Sequence, residues 1–151
     1  MSDGVSAGTR EDVSGPALLN LLRNADFEVS GTDVVPDKHE RITDAIVAAV
    51  VGGADLVVTT GGTGLGPRDV TPQATSMLID YEVPGIAELM RRAGVESTPM
   101  AALSRGIVGV RGRTLVLNVP GSVRGATESL EAVLPVLGHA IHLLHGHTKH
   151  E

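Results

Sequence analysis

Apolar positions along this chain follow two periods, and the switches between them lay out its elements. Leu18, Leu21, Leu22 and Ala25 recur at i, i+3, i+4 and i+7, which predicts an amphipathic first helix with Ser14 or Asp12 placed to cap it and Pro16 in its first turn. Glu28 to Val35 alternates loosely and is rich in Val and Thr, so it reads as a strand running into Pro36-Asp37. Ile42, Ala45, Ile46, Ala49 and Val50 make a second helical face closed by Gly52-Gly53, and Leu56 to Thr60 is a short β-branched strand. Strand, helix, strand at this spacing predicts a βαβ unit with parallel strands and a right-handed crossover. Both strands then open on one edge of the sheet, where open α/β sheets bind ligands.

Further along, Thr75 to Asp80 reads as helical, with Thr71 as N-cap and Pro72 at the first helical position. Val83-Pro84-Gly85 starts a helix with the face Ile86, Leu89, Met90 and Ala93, ended by Gly94. Thr98-Pro99 starts a short helix through Leu103, and Ile107–Val110 and Thr114–Asn118 predict a hairpin turning at Arg111-Gly112-Arg113. A last helix carries Leu130, Val133, Leu134, Leu137, Ile141 and Leu144 on one side, and Pro135 is expected to kink or divide it.

Two junctions in this layout carry candidate chemistry. The strand at Leu56 empties into a loop containing Gly61, Gly62, Gly64 and Gly66, followed by Arg68 and Asp69. Glycine admits positive φ and leaves backbone N–H groups uncovered, so such a loop at a strand's carboxyl end suits a phosphate or pyrophosphate. The spacing is neither the dinucleotide fingerprint nor a P-loop, because Pro67 follows and no Lys-Ser/Thr closes the loop. Asn118-Val-Pro-Gly-Ser122 repeats the logic, a strand ending in a Pro-Gly turn with Ser122 able to cap the final helix.

Composition narrows the possibilities. The 151 residues suit one domain, 1–151, at 42% apolar and 20% charged, and no apolar run approaches the length of a membrane span. Absence of Cys excludes disulfides, thiolate metal sites and cysteine nucleophiles, and with no signal or transit pattern the expected compartment is the cytoplasm. Lys and Arg total 12 against 18 acidic residues, a net charge of -6, which argues against nucleic-acid binding and requires any anion to be met locally. With only Phe27 and Tyr81 as aromatics, a flat heterocycle would rest on backbone and aliphatic walls.

Several motifs together resemble a known family. Thr59-Thr-Gly-Gly-Thr-Gly-x-x-x-Arg-Asp-Val-Thr-Pro72, Val35-Pro-Asp37, Leu103-Ser-Arg-Gly106, Asn118-x-Pro-Gly121 and the opening Ser2-Asp-Gly-x-Ser-Ala-Gly-x-x-x-Asp-x-Ser-Gly-Pro16 resemble, in order, those of the MoaB/Mog group of molybdenum cofactor biosynthesis proteins. The resemblance implies a three-layer αβα molybdopterin-binding domain with a mostly parallel sheet. It implies adenylyl transfer, in which the terminal phosphate of molybdopterin attacks the α-phosphorus of ATP with magnesium assisting and pyrophosphate leaving. Asp37 and Asp69 match the family's two catalytic aspartates and are expected to act through magnesium. Gly61, Gly62, Thr63, Gly64, Arg68, Ser104, Asn118, Pro120, Gly121, Ser122, Ser14 and Gly15 are the expected ligand-binding residues. A homo-oligomer, trimer or hexamer, and a downstream molybdenum insertase as partner are implied in the same way, with no nucleic acid and no membrane. A pterin- or nucleotide-binding member without catalysis, and a competence-damage-type nucleotide pyrophosphatase domain, are the alternatives.

Ordinary structural roles compete at each position. Asp37-x-x-Glu40 is also a capping box, which the residues alone favour, and Asp69 is also a turn residue bonding its own backbone. The resemblance tips both toward catalysis. Thr63, Ser104 and Ser122 suit phosphate or pterin as well as helix caps, and Arg68 and Arg105 suit phosphate as well as solvent. His139, His142 and His145 recur at i, i+3, a spacing compatible with zinc or nickel, but without a paired carboxylate in the segment a solvated helix end is the expected state of the tract to His150. In the family a hydrophobic strand precedes the Ser-Asp motif, whereas here Met1 abuts Ser2, so the N-terminal strand is expected to be truncated, with either a start farther upstream or a rearranged sheet.

Overall fold

The computed structural model describes Met1, Gly4, Gly8 and residues 12–147; Ser2, Asp3, Ser6 and Ala7 of the opening motif, and His150, lie outside the described residues. In chain order the elements are α1 (Ser14–Asn24), α2 (His39–Val51), β1 (Leu56–Thr60), α3 (Thr71–Leu78), β2 (Tyr81–Glu82), α4 (Pro84–Ser97), a 3-10 turn (Pro99–Leu103), β3 (Val108–Arg111), β4 (Thr114–Val119) and α5 (Val123–Leu144). The sheet order is β1-β4-β3-β2.

Strand β4 is the centre of the molecule. All six of its residues are buried, as expected of a strand covered on both faces. Alternation assigns its side chains: Leu115, Leu117 and Val119 join Leu18, Met90, Leu130, Val133 and Leu137 in a core under α1, α4 and α5, while Val116 joins Ile42, Ile46 and Ala74 under α2 and α3. The result is the expected three-layer αβα fold. Its sheet is mixed: β1 runs parallel to β4, from Leu56↔Leu115 to Thr60↔Val119, while β4·β3 and β3·β2 are antiparallel. Among the described residues parallel pairing is therefore confined to β1·β4.

Several expectations need correction. Glu28–Val35 is not a strand but an unladdered stretch, so no βαβ unit forms there. The reason lies in pairing, because a β-favouring sequence becomes a strand only beside a partner, and among the described residues β1 is the edge of the sheet with no strand between it and this stretch. Val35 nevertheless packs against the α2 side of the core. Helix α3 stops at Leu78, freeing the chain for the two-residue β2, too short to leave a periodic signal. Gly94 does not end α4, which runs on to Ser97; a Cβ at Gly94 would lie 2.7 Å from the Ala101 methyl, so this glycine serves the close approach of the 3-10 turn. Pro135 does not divide α5, whose buried face of Leu130, Val133 and Leu137 continues across it.

Candidate functional site

The parallel pairing of β1 and β4 brings the two glycine-bearing loops together at their carboxyl ends. Gly61 N–H donates to the Val119 carbonyl at 3.1 Å, and Thr60 Oγ1 donates to the Pro120 carbonyl at 2.8 Å. A Cβ on Gly121 would lie 3.1 Å from the Gly61 Cα, so the loops abut through positions without side chains. Between them and the helices α4 and α5 opens a cavity of about 480 Å³, a size typical of small-molecule sites. Gly62, Thr63, Gly64, Asp69, Ser104, Asn118, Pro120, Gly121 and Ser122, all anticipated from the sequence, line it.

The glycine loop is built by its own backbone and by one arginine. Gly61 and Gly62 take φ of 95° and 66°, the left-handed region that L side chains avoid, and a Cβ on Gly62 would strike Thr71 Oγ1. Arg105 donates from Nε to the Gly64 carbonyl at 2.8 Å and from Nη2 to the Asp69 carbonyl at 2.7 Å, while its own N–H reaches the Thr63 carbonyl at 2.8 Å. This guanidinium, a candidate for phosphate neutralisation, is engaged in shaping the loop. Asp69 Oδ2 accepts from Gly66 N–H at 2.9 Å, the local turn bond that competed with a catalytic role, yet Asp69 also lines the cavity.

Other candidates fall around this centre in different ways. Asp37 is not the N-cap of α2: that position is Lys38, whose own side chain makes no capping bond. Its Oδ1 lies 3.4 Å from the position of a Cβ on Gly62, so the fold brings both aspartates to one loop, although only Asp69 lines the cavity. Thr71 is likewise not an N-cap; the cap position is Val70, and Thr71 Oγ1 is buried with no hydrogen-bond partner among the described residues. Asn118 is buried with its amide engaged, Nδ2 donating to Thr59 Oγ1 at 2.9 Å and Thr75 Oγ1 at 3.0 Å, while Oδ1 accepts from Ile107 N–H at 3.3 Å. It holds β1, β4 and α3 in register beneath the site, a structural task for its side chain. Ser122 caps α5, accepting from Gly125 N–H at 3.1 Å. The Ser14 and Thr60 hydroxyl oxygens are hydrogen-bonded at 3.3 Å, which braces the end of β1, while Gly15 N–H donates to Asp12 Oδ1 at 3.0 Å at the start of α1; neither residue lines the cavity. Arg68 is exposed and outside the cavity.

The α4/α5 side of the cavity was not anticipated. It presents Met90, Arg91, Ser97, Arg124, Glu128 and Ser129. Arg91 Nη1 donates to the Gly106 carbonyl at 2.8 Å, and Glu128 Oε1 accepts from Ser97 Oγ at 2.7 Å and Arg124 Nε at 2.8 Å. The donors on Arg124 and Ser97 hold the Glu128 carboxyl below the usual carboxylate range. At the far end of the sheet, His145 Nε2 meets Asp55 Oδ1 at 2.8 Å, so the carboxylate that pairs with the histidine tract comes from outside its segment, and the His142 and His147 rings lie 5.2 Å apart.

Comparison with known proteins decides the family: a domain described as "Probable molybdopterin binding domain" matches residues 1–139. The chain belongs to the MoaB/Mog family of these domains. A crystal structure of the molybdopterin biosynthesis enzyme MoaB of Thermus thermophilus superposes with a TM-score of 0.90 at 55% identity, covering 96% of this chain and 92% of that one. The molybdopterin adenylyltransferase of Helicobacter pylori strain J99 is 37% identical over 151 residues, 96% of this chain and 84% of that protein. Gephyrin of Dictyostelium discoideum is 39% identical over 158 residues, where 98% of this chain spans 22% of that protein. The chain thus spans less than half the length of the first curated relatives it matches. Among the described residues no helix is long and apolar enough to cross a membrane.

Proposed function

We propose that this chain is a molybdopterin adenylyltransferase acting in molybdenum cofactor biosynthesis, with molybdopterin and ATP as its substrates. The observation that carries the reading is the cavity that joins the glycine loop and Asp69 to the Pro120–Ser122 turn at the carboxyl ends of β1 and β4. A phosphate monoester is already anionic at neutral pH, so its attack on an α-phosphorus needs no histidine base; it needs in-line positioning and charge neutralisation. The bond formed joins the molybdopterin phosphate oxygen to the α-phosphorus. The bond broken joins that phosphorus to the oxygen bridging to the β-phosphorus, and the electron pair leaves with pyrophosphate. Loop N–H groups, the Thr63 and Ser122 hydroxyls and the amino end of α5 are suited to hold the anionic groups.

Magnesium fits the oxygens available. Asp37 and Asp69 are hard carboxylate donors at one loop, and the buried Thr71 hydroxyl beside Gly62 lacks a partner among the described residues. No group of three or more His, Asp or Glu side chains among the described residues is placed to hold a metal alone, which suits an ion that takes one or two carboxylates and completes its shell from substrate phosphates and water. Bound there, magnesium would supply neutralisation of phosphate charge. A homo-oligomer of trimer or hexamer type, a downstream molybdenum insertase and a cytoplasmic setting belong to the same proposal.

The deciding assay mixes the protein with molybdopterin, magnesium and α-labelled ATP. Adenylylated molybdopterin is expected from the wild type, with turnover falling at least about a hundredfold in Asp69→Asn while pterin binding survives. Pterin binding with no transfer by the wild type would refute the enzyme reading and leave a binding protein.

A further inference from the structure

The cavity has two chemically different ends. The loop end offers backbone N–H groups and hydroxyls, which suit phosphate oxygens. The α4/α5 end offers Ala87, Met90 and Gly94 as an aliphatic wall, one carboxylate, Glu128, the buried Ser129, and two arginines already engaged within the protein, Arg91 on the Gly106 carbonyl and Arg124 on Glu128. An ionised carboxylate only accepts hydrogen bonds, so Glu128 selects a group with donors.

Glu128 is fixed in a particular way. Its two protein donors, Ser97 Oγ from the last turn of α4 and Arg124 Nε from one turn earlier on α5, both fall on Oε1. Among the described residues Oε2 therefore keeps its acceptor capacity for something else. The two donors come from different helices, so the carboxylate is oriented from both sides.

We propose that Glu128 is the specificity-determining residue of the cavity, its carboxylate reading the 2-amino-4-oxo edge of the pterin ring at the α4/α5 end; this rests on the pterin reading above. That edge presents an amino group and the adjacent ring N3–H as neighbouring donors, which the two lone pairs of Oε2 can both accept. Adenine presents one amino donor beside a ring-nitrogen acceptor, and the acceptor is repelled by the same oxygen. Glu128 thus assigns the pterin to the α4/α5 end and leaves the nucleotide to approach from the loop side. Among the described residues no aromatic ring lines the cavity, so hydrogen bonding at this edge, with Met90 and Gly94 against the ring face, has to supply the discrimination.

The test is a fluorescence titration of the whole protein with pterin and with lumazine, its 2,4-dioxo counterpart, which puts a carbonyl where pterin has the amino donor. Absence of Trp keeps the protein's own emission away from the pteridine signal. Wild type is expected to bind pterin about tenfold more tightly than lumazine, and Glu128→Gln to lose that preference through weaker pterin binding alone, with circular dichroism reporting an unchanged fold. Equal affinities in the wild type, which need no variant, would overturn the proposal; so would a preference that survives in Glu128→Gln, which would leave Glu128 as a clamp between α4 and α5. Molybdopterin titrated in parallel separates the two levels of inference. If molybdopterin binds and is adenylylated while pterin and lumazine bind equally, the role of Glu128 falls and the enzyme stands. If neither molybdopterin nor pterin binds, the pterin reading falls and takes this proposal with it.

Discussion

Replacing Arg105 with alanine separates two accounts of this arginine, loop clamp and phosphate ligand. The clamp consists of Nε to the Gly64 carbonyl at 2.8 Å and Nη2 to the Asp69 carbonyl at 2.7 Å. Each is a charge-assisted bond worth about 1.5–3 kcal/mol, and water entering the open cavity can reach the two freed carbonyls, which recovers roughly half. A net loss of about 2 kcal/mol is expected, a fall in Tm of about 4–8 °C for a chain of this size. Because the lost contacts fix the loop that carries Asp69, kcat should fall about tenfold to a hundredfold with KM for ATP little changed. Arg105→Lys restores the charge without the fork and should recover less than half of either loss. Thermal unfolding and steady-state adenylyl transfer at two salt concentrations measure both. A Tm indistinguishable from wild type, together with a rise in KM that salt diminishes, would mean that the guanidinium meets substrate phosphate directly and would refute the clamp.

Further predictions concern the same framework. Thr71→Val removes a buried hydroxyl without a partner among the described residues, so the ligand-free protein should gain about 1 kcal/mol in thermal unfolding while adenylyl transfer declines; a loss of stability would show that the hydroxyl is satisfied in solution. Gly62→Ala forces a Cβ against Thr71 Oγ1 at a φ of 66° and should cost about 1–2 kcal/mol, measured as a shift in denaturant midpoint with unchanged slope. Asn118→Ala strands the hydroxyls of Thr59 and Thr75 and the Ile107 N–H, and should lower stability by about 3 kcal/mol; a loss under about 1 kcal/mol would contradict the three-way bond. Since Arg124 and Ser97 hold the Glu128 carboxyl low, the pterin preference should be fully present above the ordinary carboxylate range and decline only as pH falls through the lowered value, which the same titration run in acid detects.

How much of this was legible before the fold was known differs by element, for physical reasons. The Leu56–Thr60 strand with its glycine loop, the 108–119 hairpin and the Ser122 cap announce themselves locally, because strand period, glycine placement and capping residues act within a few positions. Glu28–Val35 misleads because its Val and Thr content states a preference that only a neighbouring strand can realise. Gly94 misleads because a glycine admitted for close packing looks the same in sequence as one that ends a helix. Arg105 was visible as a candidate but not its role, since its acceptors are backbone carbonyls at positions 64 and 69, which no side-chain pattern encodes. Glu128 left no mark at all: four residues after Arg124 on a long helix, it reads as an exposed i, i+4 pair. What makes it notable is Ser97, brought alongside by the packing of α4 on α5.

These observations together explain why the loop can carry uncompensated groups. The lone Thr71 hydroxyl is unfavourable, and a free loop would relax to satisfy it. It is prevented from relaxing because it is held from three directions: by Arg105 across Gly64 and Asp69, by Thr60 and Gly61 bonding to the opposite turn, and by Asn118 tying β1 to β4 and α3 beneath it. Under the proposed function a loop held in this way meets an anion without reorganising, which places binding energy where charge develops in phosphoryl transfer.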